Sequence, residues 1–494
     1  MASADRGSSG GVLRDAAITI ASRVILAVLI LGTDIALARL LGPAAKGRFA
    51  LVLLYSQLIA LVLGWGMDQA LAVVSGRDIE GARRGFANAL IWTGVVGGFG
   101  LLVSAWAYGV GQPGPPIGLL PDILPNLSKQ QFLYAAIAVP GEMFFSIALF
   151  GLLGRRMITA YSAVRILRRA TLFVLVLSAA AVARLSLNVA LLLNLVALAM
   201  TAAAITLAAV GGGFASLRAS AAVLGEELRY GTRAVPGELA ERLQFRADSF
   251  IVNLFAGVRA TGIYSVTSGL AEVLWYIPNS LGIVMFSRAV DPRADAGRVA
   301  AALTRGTVAV TLATAVPAFL LGPYVARALY GPQFADAGVA LRFILPGVVA
   351  YSVVAVLSRY LSGRGRPGTA TLILVCGLAV NVIANLLLVP RLGINGAALA
   401  SSISYILTAV LTVSAFVRVS GRGLRETLIL RGSDVRAATS LLGAATAALL
   451  HARVPAAATG DAGATGDAGD AAADAATEAT ADLIVREVEP GEEA

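Results

Sequence analysis

Apolar runs of about 20 residues, separated by short basic or Gly/Pro-rich breaks, recur along most of the chain. A run of this length is what an α-helix needs to cross the hydrocarbon core of a bilayer. The strands of a membrane β-barrel would instead show a roughly ten-residue alternation of polarity. Only 14% of the residues are charged, against about 25% in soluble domains, and 57% are hydrophobic. The pattern predicts an all-α polytopic membrane protein with about twelve spans.

A polar connector divides these spans into two sets of six. It covers residues 211–230 and carries Arg218, Glu226, Glu227 and Arg229 between long apolar stretches. We therefore expect two six-helix lobes, with polar segments around them. The predicted divisions are an N-terminal tail at 1–11, an N-lobe at 12–210, the connector at 211–230, a C-lobe at 231–420, a basic segment at 421–454 and an acidic tail at 455–494.

Two of the terminal segments need separate interpretations. The apolar run at 437–450 is short for a span, so it fits either an interfacial helix or a thirteenth span. From Pro455 the chain is rich in Ala, Gly, Thr and Asp, a composition that cannot bury a core. We expect this acidic tail to be disordered.

One cysteine, Cys376, and one histidine, His451, limit the available chemistry. A disulfide framework, a Cys/His metal site or a His-based triad cannot be built from them within one chain, and we expect no metal site and no catalytic residues. The net charge of +10 would suggest nucleic acid for a soluble protein. Here the arginines lie in short loops between spans, so we expect no nucleic-acid partner.

The loop cations are unevenly distributed between the two sides of the membrane. Loops on the N-terminal side hold most of them, and the opposite loops hold Arg39, Lys46, Arg48, Lys129, Arg184, Arg259, Arg327 and Arg391. The positive-inside rule then places both termini in the cytoplasm. The first apolar run is too long for a cleavable signal peptide, and we expect an uncleaved anchor.

The stretch from Pro236 to Tyr264, which contains predicted span 7, carries charges that are costly in hydrocarbon: Glu238, Glu241, Arg242, Arg246 and Asp248. Further intramembrane charges are Arg23 and Asp34 in span 1, Asp68 in span 2 and Glu272 in span 8. Such side chains must face water or partners. We expect them to line a polar cavity between the two halves.

An internal repeat relates these halves. Gly42, Gly47 and Phe49 match Gly257, Gly262 and Tyr264 at a constant offset of 215 (257 − 42). A second echo joins the loop 154–160 to the loop 363–370 and needs a one-residue gap. Chance recurrence in a Gly-rich chain is the alternative. Six spans per half imply a symmetry axis along the membrane normal and a site at the interface.

Two local features carry expectations of their own. We expect Gly42, Gly257 and Gly396 to serve tight turns on the extracellular side. Trp275 and Tyr276 follow Glu272 closely and are candidates for a sugar platform, although intramembrane aromatics more often serve as core or interfacial anchors.

Three segments resemble a known family. They are Ala38–Ala50 (A-R-L-L-G-P-A-A-K-G-R-F-A); Phe245–Asp248 followed by Gly262–Val266; and Leu386–Ala400, which contains a family-like L-V-P-R-x-G-I-x-G-A-A-x-A. The chain resembles the polysaccharide-biosynthesis, or oligosaccharide flippase, branch of the multidrug/oligosaccharidyl-lipid/polysaccharide (MOP) exporter superfamily over about residues 12–420. The resemblance implies a MATE-like, V-shaped fold of two lobes. It also implies a flippase in the cytoplasmic membrane that moves a lipid-linked sugar by alternating access, with spans 1, 2, 7 and 8 around its cavity.

Candidate roles follow from this resemblance and from side-chain chemistry. Arg23, Arg242 and Arg246 are candidates for the diphosphate of a polyprenyl-linked glycan, because a guanidinium binds phosphate oxygens bidentately. Arg242 and Arg246 lie one turn apart and can face one anion. The alternative is that these arginines pair with Glu238 and other nearby acids.

Five carboxylates are candidates for coupling to H⁺ or Na⁺, namely Asp34, Asp68, Glu238, Asp248 and Glu272. The alternative for each is a structural counter-ion. We expect no cofactor. The expected partners are the lipid-linked glycan, membrane lipids and glycan assembly enzymes.

Two other functions fit the sequence less well than a flippase does. A cation-coupled multidrug exporter of the same fold would need a net acidic cavity. A membrane glycosyl-polymerase or ligase would need a large external loop with catalytic polar residues, whereas the longest external loop, 111–130, carries only Asp122 and Lys129 as charges. We therefore expect a transporter rather than an enzyme.

Overall fold

The computed structural model describes residues 6–114, 119–182, 185–275 and 295–429, with a few positions in 278–289, and describes side chains from Ile25 onward. The predicted acidic tail, the apolar run at 437–450 and Tyr276 lie outside the described residues. So does the side chain of Arg23, whose backbone is helical.

Long helices make up both lobes. The N-lobe contains α1 Arg6–Gly64, α2 Met67–Arg77, α3 Ile79–Trp92, a π-helical turn Thr93–Gly97, α4 Gly98–Ala107, α5 Leu119–Ile123, α6 Lys129–Gly154, α7 Ile158–Val182 and α8 Leu187–Gly211. The C-lobe contains α9 Ala221–Val273, α10 Ala296–Tyr330, a 3₁₀ turn Pro332–Phe334, α11 Ala335–Gly363, α12 Pro367–Ser420 and α13 Leu424–Leu428. Because α9 begins at Ala221, the second half of the predicted connector is helical.

Three of the long helices are each divided by a glycine with positive φ. These are Gly42 in α1 (φ 72°), Gly257 in α9 (φ 78°) and Gly393 in α12 (φ 56°). The turns predicted at Gly42 and Gly257 are confirmed. The turn predicted at Gly396 was wrong by three residues, because the chain turns at Gly393. Gly396 lies inside the helix that follows, packed so closely that a Cβ would lie 2.4 Å from the Leu388 carbonyl oxygen.

These kinks account for the number of spans. Within the described residues, 8 helical stretches are long and apolar enough to cross a membrane. The kinks divide three of them in two, and the arginine-bearing α7 supplies one more. The fold is therefore the predicted all-α bundle of about twelve spans in two lobes.

Because the spans alternate in direction, the bundle has two distinct ends. We call the end with the three kink glycines the kink face, and the end with the connector at 212–220 the connector face. Contacts between distant segments support this division. Arg48 donates to the Asn126 carbonyl (3.1 Å) at the kink face, and Asn88 donates to the Ser220 carbonyl (3.1 Å) at the connector face.

The predicted repeat appears as a reciprocal contact at the kink face. A Cβ on Gly47 would lie 1.9 Å from the Val258 carbonyl oxygen, and a Cβ on Gly262 would lie 1.9 Å from the Pro43 carbonyl oxygen. Pro43 and Val258 are related by the same offset of 215 as Gly47 and Gly262. Each lobe therefore places a glycine against the equivalent backbone carbonyl of the other lobe, as a pseudo-two-fold axis requires.

The second sequence echo corresponds to a repeated turn at the connector face. After α6, the amides of residues 155, 156 and 157 bond to the carbonyls of residues 151, 153 and 152. After α11, the amides of residues 364, 365 and 366 bond to the carbonyls of residues 360, 362 and 361, an offset of 209 throughout (364 − 155). Arg156 and Gly365 both have positive φ (58° and 74°). The two turns are therefore copies of one structure.

Candidate functional site

A cavity in two chambers lies between the lobes. The chamber nearer the kink face has a volume of about 260 Å³ and includes Asp34, Lys46 and Tyr330 in its walls. The other, nearer the connector face, has a volume of about 360 Å³. The chambers are continuous because both are lined by Ile30, Leu54, Gln57, Arg169 and Arg246.

Five arginines from two helices line the connector-side chamber. Arg165, Arg168 and Arg169 of α7 follow one another at i, i+3 and i+4, so they share one helix face. Arg242 and Arg246 of α9 are one turn apart on the opposite wall. The structure thus brings the two predicted arginines of span 7 together with three of the N-lobe. An anion in this chamber would meet guanidinium groups from both lobes.

Three ion pairs lie in the cavity walls. Lys46 pairs with Asp34, Arg168 pairs with Glu142, and Arg246 pairs with Glu272 at 2.8 Å. Arg168 also lies over the Phe145 ring, 4.3 Å from its centroid. Each pair offsets the cost of a charge that would otherwise face a low dielectric alone.

The remaining two cavity carboxylates accept hydrogen bonds from neutral groups. Asp68 accepts from the Ser146 hydroxyl (3.1 Å), and Glu238 accepts from the Gln69 amide (2.9 Å). Arg242 has no carboxylate within 4.0 Å in the part of the chain that the structure describes. The alternative pairing of Arg242 with Glu238 is therefore not formed in this structure.

The charges of the cavity nearly balance. Of the described residues that line it, six are cationic, Lys46 and the five arginines, and five are carboxylates, Asp34, Asp68, Glu142, Glu238 and Glu272. With all of these ionised, the cavity carries one positive charge in excess. It is not the net acidic cavity expected for a transporter of cations.

Asp248 is placed differently from the prediction. It is 1% exposed and lies inside the C-lobe, where it accepts hydrogen bonds from the Tyr264 and Ser401 hydroxyls and from the Ser249 amide. The described lining of neither chamber includes it. Since Ser401 belongs to α12, Asp248 links both halves of α9 to α12.

Trp275 is also a core residue rather than a cavity residue. Its ring packs against Phe245, Tyr351 and Tyr405 with centroid separations of 4.9, 5.4 and 5.5 Å. Its indole N–H donates to the Val348 carbonyl (3.2 Å). The suggested sugar platform at Trp275 was wrong, because the ring faces the interior of the C-lobe.

Several charged residues of the site were missed in the sequence. Arg165, Arg168, Arg169 and Glu142 were not among the candidates, and Lys46 was counted as a loop cation although it is 4% exposed and paired with Asp34. The spacing of the three arginines inside an apolar helix was the available signal, because it places them on one face. Lys46 had no such local signal, since its partner belongs to the preceding span.

The lobes approach each other at both ends of the cavity. At the kink face, Gly47 and Gly262 allow the close backbone contact described above. Towards the connector face, a Cβ on Gly231 of α9 would lie 1.8 Å from the Trp65 carbonyl oxygen. The Trp65 indole N–H also donates to the Thr232 hydroxyl (3.0 Å). Glycine is required at these points because any side chain would separate the helices.

Comparisons with known proteins agree with this architecture. The family model described as lipid II flippase MurJ matches residues 250–460. A search of curated proteins found no match. A structure described as lipid II flippase MurJ in an inward closed conformation is similar with a TM-score of 0.66, 11% identity and coverage of 95% of this chain and 97% of that one.

Transporters of the MATE type are similar as well. The inward-facing conformation of a multidrug resistance MATE family transporter of the MOP superfamily gives a TM-score of 0.63, with 17% identity and coverage of 80% of this chain and 94% of that one. A MOP superfamily transporter from Pyrococcus furiosus is described as having a binding pocket of reverse polarity. It gives a TM-score of 0.56, with 17% identity and coverage of 83% of this chain and 95% of that one. The chain has the same fold as these transporters. It is a multi-pass membrane protein built like these transporters.

Proposed function

We propose that the chain is a flippase that moves a polyprenyl-diphosphate-linked oligosaccharide or polysaccharide precursor across the cytoplasmic membrane by alternating access. The observation that carries this proposal is the convergence of five arginines, three from the N-lobe and two from the C-lobe, on one cavity between the lobes. A diphosphate offers several anionic oxygens, and guanidinium groups bind such oxygens bidentately.

The arginines are positioned to bind a substrate that crosses from one side of the membrane to the other. A headgroup held by α7 and α9 together is bound by both lobes, so rocking of the lobes changes its access without changing its site. The kink-face contact at Gly47 and Gly262 would have to open in the other conformation.

The match to the family model supports the substrate class. That model describes lipid II flippases and matches residues 250–460. Lipid II is a substrate of those proteins, and for this chain we propose only the broader class of lipid-linked glycan. Glycan assembly enzymes and membrane lipids are the partners in this proposal, and H⁺ or Na⁺ would couple through the cavity carboxylates.

A cation-coupled exporter of the same fold is the second candidate. The similarity to MATE transporters and the five cavity carboxylates favour it. Three of these carboxylates are already paired with cations of the protein. Because the cavity keeps an excess positive charge, an anionic headgroup is the better fit.

The experiment compares two double variants in a strain that lacks the gene. Arg242→Ala/Arg246→Ala should lower export of the lipid-linked glycan more than tenfold, because hydrogen bonds to charged groups contribute about 1.5–3 kcal/mol each. Arg218→Ala/Arg229→Ala removes two arginines of the connector region and should leave export unchanged. Export is followed by the intermediate that accumulates on the inner leaflet, and insertion by the amount of protein in the membrane.

Normal export by the Arg242→Ala/Arg246→Ala variant would contradict the headgroup role. Accumulation of cationic dyes, rather than a lipid-linked intermediate, in the deletion strain would favour the second candidate instead.

A further inference from the structure

The three ion pairs of the cavity differ in how a ligand can reach them. In the Lys46–Asp34 pair the lysine side chain is 5% exposed, and in the Arg168–Glu142 pair the two side chains are 10% and 6% exposed. In the Arg246–Glu272 pair they are 34% and 38% exposed. Of the pairs in the described walls, only this one offers both partners to the cavity.

Arg246 lies where the two chambers of the cavity meet. It lines both chambers, whereas Glu272 lines the kink-side chamber. The two residues lie on opposite sides of the Gly257 kink, one in span 7 and one in span 8. An anion in the connector-side chamber can therefore reach Arg246, whereas the described lining of that chamber does not include Glu272.

We propose that Glu272 is a stand-in anion for the substrate: it neutralises Arg246 when the cavity is empty, and the substrate diphosphate displaces it. This inference rests on the proposed function, since it concerns the same cavity. A diphosphate carries more negative charge than a carboxylate and can bind a guanidinium bidentately, so it can replace Glu272 at Arg246.

Replacement of the diphosphate by Glu272 at Arg246 would allow the transporter to reorient without substrate. A transporter that releases its substrate must reorient with its arginines still in the cavity, and an uncompensated guanidinium there is costly. With Glu272 in place, the empty protein returns with Arg246 paired. With substrate bound, the diphosphate provides the pairing. Glu272 is thus a positioning residue that keeps Arg246 paired in the empty form, as the diphosphate does in the loaded form.

Binding of a simple anionic probe tests this directly. Purified full-length protein in nanodiscs is titrated with farnesyl diphosphate at low salt. Glu272→Gln removes the competitor for Arg246 and should tighten binding about tenfold, equivalent to about 1.4 kcal/mol. Glu272→Asp retains the charge and should bind as the wild type does. In Arg246→Gln/Glu272→Gln the gain should vanish, because it acts through Arg246.

Transport assays provide a second test, because a purely structural role of Glu272 would not separate net transport from substrate exchange. With proteoliposomes that hold a fluorescent polyprenyl diphosphate, Glu272→Gln should slow net transport, which needs return of the empty carrier. It should leave exchange of substrate for substrate near the wild-type rate. If Glu272 only stabilised the fold, Glu272→Gln should lower net transport and substrate exchange by the same factor.

The outcomes separate this inference from the proposed function. Unchanged or weaker binding by Glu272→Gln, beside wild-type binding that depends on Arg242 and Arg246, overturns the stand-in role alone. Absence of binding by the wild type overturns the proposed function and this inference with it. Tighter binding with slower net transport and normal exchange supports both.

Discussion

At the scale of single residues, the buried groups Arg168, Glu142 and Asp248 find their partners in two ways. Arg168 and Glu142 form a pair with little exposure, and Arg168 also contacts the Phe145 ring. Asp248 instead accepts hydrogen bonds from hydroxyls and an amide. Both arrangements satisfy a charge that hydrocarbon cannot solvate, so each residue depends on its partner more than on its own helix.

Glu142→Gln tests this dependence. The change leaves the Arg168 guanidinium buried without its carboxylate, and removal of one member of a buried pair costs about 3–5 kcal/mol. We expect the temperature at which half of the purified protein loses its monodisperse form to fall clearly. Replacement of both residues by leucine should recover much of the loss. An unchanged transition temperature in Glu142→Gln would show that the pair does not stabilise the fold.

At the scale of elements, the segment after span 12 is held against α10. Asp295 caps α10 by accepting a hydrogen bond from the Arg298 amide (3.1 Å), and it also pairs with Arg422. Arg422 pairs with Glu426 of α13 at 2.8 Å, and Arg305 of α10 donates to the Glu426 carbonyl. The predicted basic segment therefore begins as a docked element of the C-lobe.

The docking should depend on the ionisation of Asp295. The hydrogen bond from the Arg298 amide, with Arg422 nearby, lowers the pKa of Asp295. Because its folded pKa is lowered, Asp295 contributes stability above its ordinary pKa of about 3.9, and the contribution is lost as the pH falls through the lowered value. At pH 7 we expect Asp295→Asn to increase hydrogen exchange in residues 421–429, and we expect this difference from the wild type to shrink below about pH 4.

Asp336→Asn provides the control, since Asp336 lies in the first turn of α11 at the kink face. Exchange in residues 421–429 should be unaffected by it. Equal exchange in the wild type and Asp295→Asn at pH 7 would argue against the cap as the anchor of this segment.

At the scale of the whole molecule, the reciprocal glycine contact sets how the two lobes meet. Gly47 and Gly262 bring the Pro43 and Val258 carbonyls of opposite lobes within reach, and no side chain fits between them. A contact of this kind can be either fully made or open, because packed backbones do not deform gradually. It is therefore suited to be the closed gate at the kink face in an alternating-access cycle.

Gly47→Ala should hold this gate open, because the added Cβ would lie 1.9 Å from the Val258 carbonyl oxygen. In a Cys376→Ser background with Gln57→Cys in the cavity, we expect faster labelling by a maleimide applied from the kink-face side. Gly98→Ala is the matched control, since no atom lies within 4 Å of its added Cβ. Labelling of Gly47→Ala at the control rate would refute a gate at this position.

Local patterns predicted a large part of the fold. Span length, the positive-φ turns at Gly42 and Gly257 and the two repeated segments depend on residues close together in the chain, so they could be derived without tertiary contacts. The turn at Gly393 was misplaced because its neighbour Gly396 offers the same freedom. The deciding contact with the Leu388 carbonyl is a packing effect.

The candidate site was predictable only in part. Local residue patterns were enough to predict that this chain crosses a membrane about twelve times in two related halves and that its intramembrane charges need partners. Which charges share the cavity depends on how the helices pack. Arg246 and Asp248 are two residues apart on one helix, which places them on different faces at about 100° per residue. Their partners, Glu272 and Ser401, lie far along the chain, and only packing of the helices brings them there.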